Sequence, residues 1–243
     1  MTGSLPPLLV IGFYPDSFEL SALLQSDPIR SKLLFNREKY VGFDQYEIIS
    51  DGMTFDLKLF SEAETQNMLQ QNSVTTLFNS AAKHNSKSIG IWLGDHLKSG
   101  KHLPSINRAL IRIAKLLGQS VSATHLGWLP AQQSIDFEHF EESADDYLTG
   151  GPTPILFQIA IIKSGDRTMK TRGLSYFSDQ EVTLRTAPNM NESEAIKRLV
   201  RICHDITING KIEQKIVVDG LVEGEKITLE PTSNLTNVTV SIS

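Results

Sequence analysis

The sequence predicts an α+β fold of two tandem ferredoxin-like units, each a βαββαβ run closing into an antiparallel sheet with two helices on one face. Two observations carry the prediction. The order strand, helix, strand, strand, helix, strand runs from Leu8 to Leu93 and again from Val121 to Val218. Both runs also place a helix-start pair at the matching point, Ser61 with Glu64 and Asn191 with Glu194, at the spacing of a capping box. The duplication sets the expected organisation: residues 1–103 form the first unit, and residues 104–243 hold a linking helix, the second unit and a C-terminal strand.

In the first unit, Leu8 to Phe13 (LLVIGF) is apolar on both faces, as a strand buried on two sides is. Asp16 or Ser17 is expected to cap the helix that follows, with Phe18, Leu20, Leu23 and Leu24 as its apolar face and Asp27-Pro28 as its end. Tyr46 to Ile49 and Met53 to Phe60 flank Asp51-Gly52, a dipeptide that accepts the positive φ angles of a tight hairpin. Ser61 then opens a helical stretch reaching Leu77, Phe78 and Ala81, and Lys87 to Leu93 closes the unit as a strand.

The linking helix runs from Pro104 to Leu117, with Ile106, Leu110, Ile113 and Leu117 on one stripe and Gly118 as its stop. The second unit comprises a strand from Val121 to Trp128, an acidic helix near Phe137 to Leu148 and a strand from Ile155 to Lys163. A strand or bulged pair from Gly173 to Thr186, a helix from Glu192 to Thr207 and a strand from Ile212 to Val218 complete it. Val238, Val240 and Ile242 alternate with polar residues as an added edge strand. Several strands are apolar on both faces, so a second sheet or a second subunit is expected to cover them.

With Lys plus Arg at 23 against Asp plus Glu at 28, the formal charge of -5 gives no basic field for nucleic acid or an anionic membrane. The single cysteine, Cys203, rules out an internal disulfide and suits a reducing compartment. The start, MTGSLPPLLVIGF, reads as the approach to a strand rather than as a signal peptide, and the apolar run from Pro154 to Ile162 is too short to span a bilayer. A cytoplasmic protein is therefore expected.

Several motifs fall in the second half: Trp128-Leu129-Pro130 at a strand end, Gly150-Gly151-Pro152 before a strand, Thr171-Arg172-Gly173-Leu174 with Glu181-Val182, and Val217-Val218-Asp219-Gly220 after a helix. On these, the stretch from about Asn107 to Glu230 resembles a bacterial family known only as a domain of unknown function. That family has no activity to transfer, so the resemblance implies a domain and no site. Its members often continue with a polar residue after the final Asp-Gly, where this chain has Leu221 and Val222.

Candidate chemistry is sparse. Gly94 to His102 lies between a strand and a helix, yet five residues separate Gly94 from Gly100 and His102 replaces the Ser or Thr of a phosphate-binding loop. His96, His102 and His125 flank the junction of the two units and, with Asp95, supply donor types that suit a metal, although their spacing fits no ligand motif. Six carboxylates between Asp136 and Asp146 share a helix with the stripe Phe137, Phe140, Ala144 and Leu148, so they read as its solvated face. Arg108, Arg112 and Lys115 form a complementary basic stripe, either solvated or meeting the acidic helix. Cys203 falls on a core stripe with Ile196, Leu199 and Val200, which predicts packing rather than nucleophilic chemistry. Trp92 and Trp128 end strands and are the candidate walls of a ligand pocket between the units. With surfaces but no convergent reactive set, the favoured function is a non-enzymatic binding or protein-interaction module, with no cofactor and with a protein partner or a homo-oligomer. The alternatives are a small-ligand binder using Trp92 and Trp128, or a metal-assisted hydrolase using the three histidines.

Overall fold

A computed structural model describes residues 6–14, 19–36, 45–76, 86–187 and 190–243. The chain divides into two compact units, Met1–Gly151 and Pro152–Ser243. The division thus falls at Gly151-Pro152 rather than at 103/104.

The first unit runs β1 (Leu9–Phe13), α1 (Leu20–Leu24), α2 (Asp27–Arg30), β2 (Leu34–Asn36), β3 (Gln45–Ser50), β4 (Met53–Phe60) and α3 (Glu62–Gln71). It continues with β5 (Thr75–Thr76), β6 (Lys87–Leu93), α4 (Pro104–Ser120), β7 (His125–Trp128), β8 (Gln133–Asp136) and α5 (Phe137–Leu148). The strand order is β2-β3-β4-β6-β1-β7-β8-β5. All neighbours are antiparallel except β5 and β8.

Local signals explain several elements. Asp51 and Gly52 both have positive φ, 50° and 77°, which fits the right-handed twist of the β3–β4 hairpin. Ser61 and Glu64 form a reciprocal capping box: the Glu64 amide donates to Ser61 Oγ at 3.3 Å, and the Ser61 amide to Glu64 Oε2 at 2.9 Å. Asp16, Ser17 and the apolar positions Leu77, Phe78 and Ala81 lie outside the described residues.

The tandem ferredoxin-like order is corrected by the pairing. That order requires the first strand beside the third, but β6 stands between β1 and β4, with Ile91 paired to both Leu9 and Leu57. The strand expected to open the second copy, β7, instead pairs with β1 through Leu9↔Trp128 and Gly12↔His125. What holds is the mixed α and β class with largely antiparallel sheets.

β1 is buried at every position, as its two-sided apolar sequence requires. The cover comes from within the unit. Val10 packs with Met68 of α3 and with Leu129, and Thr65 of α3 bonds Ser88 of β6 at 2.8 Å between hydroxyls. Leu9, Ile11 and Phe13 alternate to the other face of β1 and are also buried, and α4 packs on this strand as well. Gly118 does not stop α4, which runs on to Ser120. A Cβ there would overlap the Phe137 ring, so the glycine admits α5.

The second unit runs α6 (Ile155–Gln158), β9 (Ala160–Lys163), β10 (Thr168–Arg172), α7 (Ser175–Ser178), β11 (Glu181–Arg185), α8 (Glu192–Asn209), β12 (Ile216–Asp219), β13 (Lys226–Pro231) and β14 (Asn237–Ile242). Its order is β12-β13-β14-β11-β10-β9, with β11 and β14 parallel. The apolar run from Ile155 therefore starts as a helical turn, and the C-terminal strand lies inside the sheet. One face carries Val182, Leu184, Ile227, Leu229, Val238 and Val240, all buried. α8 packs against β11 and buries Ala195, Leu199, Ile202, Cys203 and Ile206. The other face alternates to Lys170, Thr183, Thr239, Ser241 and Thr228, the pattern of a sheet with one wet side.

Candidate functional site

The three candidate histidines occupy different places. His125 is paired with Gly12, and Gly12 with Ser88, so it sits at the Ser88 end of the sheet. His96 and His102 follow Leu93, at the other end of β6, about 17 Å from the Ser88 row at the rise of an extended strand. His96 is exposed and its Nδ1 lies 3.3 Å from Thr54 Oγ1. Among the described residues, no three His, Cys, Asp or Glu side chains are grouped to hold a metal ion.

His125 is buried, 4% exposed, with its ring on the bare backbone of Gly12. Its Nδ1 lies 3.0 Å from Thr124 Oγ1, and its Nε2 has no hydrogen-bond partner among the described residues. Burial pushes its pKa below the ordinary imidazole value, opposed by Asp136, its cross-strand neighbour. Burial thus favours the neutral imidazole, and the ring serves as a packed side chain.

The two tryptophans do not share a wall. Trp128 is fully buried in β7, in the row of Leu9. Trp92 is half-buried on the alternate face, its ring 5.9 Å from that of Phe60. A cavity of about 430 Å³ in the first unit is lined by Leu24, Gln25, Arg30, Leu33, Leu34 and Phe35, with neither tryptophan in it.

The acidic helix meets the basic one within the molecule. Lys115 pairs with Asp145, Gln119 donates to Glu141, and the Arg108 guanidinium lies 5.2 Å from the centre of the Tyr147 ring. Arg112 turns instead to Asp51 in the hairpin. Glu138, Glu142 and Asp146 are exposed, as the solvated face of α5 requires.

Cys203 is fully buried, and burial raises its thiol pKa far above the ordinary value, with the Glu181 charge adding to the shift. The native protein is therefore expected to resist thiol alkylation until it unfolds, as mass spectrometry of protein treated with iodoacetamide with and without urea will show. Rapid labelling without urea would mean that the helix is turned differently.

The resemblance motifs of the second unit are structural. Glu181 clamps the turn after β10: its Oε1 accepts from the amides of Gly173 at 2.9 Å and Ser175 at 3.1 Å, and its Oε2 from Thr171 Oγ1 at 2.6 Å. Thr171 Oγ1 in turn accepts from the Val182 amide at 2.7 Å. Gly173 supplies the φ of 98° that the turn needs. Glu181→Ala is expected to cost the second unit about 2 kcal/mol in urea unfolding, the scale of hydrogen bonds to a charged acceptor; a loss within error of zero would show that water replaces the clamp.

The free edge of the second sheet carries a feature that no motif announced. β12 is its outermost strand among the described residues, and three side chains of β12 and its approach lie on the wet face: Lys215, Val217 and Asp219. Lys215 pairs with Glu230 at 3.4 Å and Asp219 with Lys226 at 2.5 Å, across the β12–β13 ladder. Between these pairs Val217 is 57% exposed, and the adjoining turn exposes Leu221 by 43% and Val222 by 61%. The alternation Lys-x-Val-x-Asp was visible in the sequence, but its edge position is not a local property.

No family model, curated protein or solved structure matches the chain. The expected resemblance to a domain of unknown function has no support from these comparisons, and the motif residues Thr171, Gly173 and Glu181 serve to hold a turn.

Proposed function

We propose that the chain is a cytoplasmic, non-enzymatic protein-interaction module, whose partners dock on the β12 edge of its second unit. The observation that supports this is the apolar group Val217, Leu221 and Val222, exposed at the edge of a sheet face whose neighbouring strands present Thr228, Ser241, Thr239 and Thr183. A sheet edge offers a row of unpaired backbone groups to an extended segment, and side chains beside it select which segment fits. Val217 provides the apolar contact, and the Lys215 and Asp219 pairs provide polar margins on either side.

The test is isolation of the tagged full chain at native expression level, as wild type and as Val217→Pro. Proline at an edge position whose N–H faces outward removes a docking bond while leaving the internal ladder intact. A stoichiometric protein that accompanies the wild type and is lost with the folded variant supports the reading. Co-purification unaffected by the substitution, or a wild type that brings down no protein and is itself monomeric, overturns it.

A further inference from the structure

We infer that the occupant of the β12 edge is a second copy of this chain, paired β12 to β12 in antiparallel about a two-fold axis through Val217. The inference rests on the interaction reading above and names the partner.

The backbone is set for it. The Lys226 amide donates to the Ser243 carbonyl at 2.9 Å and the Ser243 amide to the Lys226 carbonyl at 3.0 Å, so the peptide groups of Lys226 point to β14. Peptide groups alternate sides along a strand, so those of Ile227 point to β12, where the paired residue is Val218. The Gly220 amide, donating to the Glu225 carbonyl at 2.8 Å, continues the same phase. Ile216 and Val218 are thus committed to β13, and the N–H and C=O groups of Lys215, Val217 and Asp219 point away from the sheet. These are the groups that a further antiparallel strand would meet.

The side chains are self-complementary in the register centred on Val217. Val217 then faces Val217 of the second copy, and Lys215 faces Asp219 of the second copy, twice by symmetry. Each cross-strand row on the wet face alternates in charge, Glu230, Lys215, then Asp219 and Lys226 of the second copy. The central row runs Thr228, Val217, then Val217 and Thr228 of the second copy. Opposite charges directly across a ladder stabilise a pair and like charges oppose it, so this edge admits its own copy. An isologous contact of this kind closes at two subunits. The opposite edge of the sheet, Ala160–Lys163, carries a cation with no acidic residue in the strand to answer it, which makes β12 the edge suited to self-pairing.

The experiment is sedimentation of the purified full chain over a concentration series, for wild type, Val217→Pro, Lys215→Glu and Asp219→Lys. The wild type is expected to form a dimer. Val217→Pro is expected to be monomeric with an unchanged circular dichroism spectrum. Lys215→Glu and Asp219→Lys each place like charges across the axis twice, and each is expected to dimerise at least tenfold more weakly. An equimolar mixture of these two variants restores opposite charges in both rows. Position 215 of the first, made acidic, faces position 219 of the second, made basic, while the native Asp219 of the first faces the native Lys215 of the second. The mixture is therefore expected to recover the dimer. A wild type that stays monomeric throughout, a dimer that survives Val217→Pro, or charge variants that the mixture fails to rescue would each overturn self-pairing. A monomeric wild type that still captures a different protein, lost with Val217→Pro, would overturn self-pairing while leaving the interaction reading in place.

Discussion

Gly12→Ala is expected to destabilise the first unit by about 2 kcal/mol, the middle of the range for overpacking a filled interior. A Cβ on Gly12 would overlap the imidazole of His125, which is buried and held through Nδ1 by Thr124, so the ring cannot swing out without opening the β1–β7 contact. The effect belongs to the pair. In a His125→Ala background the new methyl enters the space the ring has left, and the cost of Gly12→Ala is expected to fall close to zero. Both tryptophans, Trp92 and Trp128, lie in the first unit, so their fluorescence during urea unfolding reports on it specifically. An equal cost in both backgrounds would contradict the packing. His125 adds a pH dependence of known sign. Its folded pKa is depressed, so its contribution is complete above about pH 6.5, the ordinary value, and falls as pH drops towards the folded value. That acid-side loss is expected to be absent in His125→Ala.

The second large effect is expected from Glu225→Ala, at about 2–3 kcal/mol in the second unit, the lower part of the range for breaking a buried ion pair. Glu225 Oε1 accepts from Arg198 Nε at 2.9 Å and Nη2 at 2.6 Å, and both side chains are 8% exposed. Glu225 Oε2 accepts from the Leu221 amide at 2.6 Å, which fixes the turn after β12. Truncation leaves the Arg198 charge buried with the Glu194 carbonyl as its remaining partner, at 3.0 Å. Replacing both residues, Arg198→Met with Glu225→Leu, is expected to recover most of the loss, because no buried charge is then stranded. The Arg198 guanidinium also holds the Glu225 carboxyl below its ordinary pKa of 4.5, with burial working against it. A depressed folded value gives stability that is present above about pH 4.5 and lost as pH falls through the folded value. The opening free energy of the second unit, from amide exchange corrected for the intrinsic rate at each pH, is therefore expected to fall in acid more steeply in wild type than in Glu225→Ala, with tryptophan fluorescence indifferent to the change.

The features that could be read from the sequence were local ones. Asp51-Gly52 specified a hairpin and Ser61 with Glu64 a helix start because each device acts within four residues. Cys203 was placed in the core by helical periodicity, and its burial agrees, although the buried face runs through Arg198 and Ile202 rather than Ile196 and Val200. The order of strands was not legible. A repeated sequence of element types says nothing about which strands share hydrogen bonds, and β7 joined β1 through contacts more than a hundred residues apart. The two-sided apolar pattern of LLVIGF implies burial on both faces, but its cover comes from helices of its own unit rather than from a second sheet or a second subunit. Ile155 to Gln158 showed a short apolar run that periodicity alone does not divide between helix and strand. The edge position of β12 is illegible in the sequence for a related reason. Whether Val217 is an exposed edge or an interior position depends on β13 and β14 folding to one side of it only.

Hydrogen exchange resolved at single amides of the full chain, followed as its own concentration rises, tests the β12 edge most directly. The account predicts that Lys215, Val217 and Asp219 become protected with increasing concentration, while Ile216 and Val218, already bonded to β13, are protected throughout. Equal exchange of the three outward amides in dilute and concentrated protein would contradict self-pairing, and the same result after addition of host extract would contradict docking at this edge altogether.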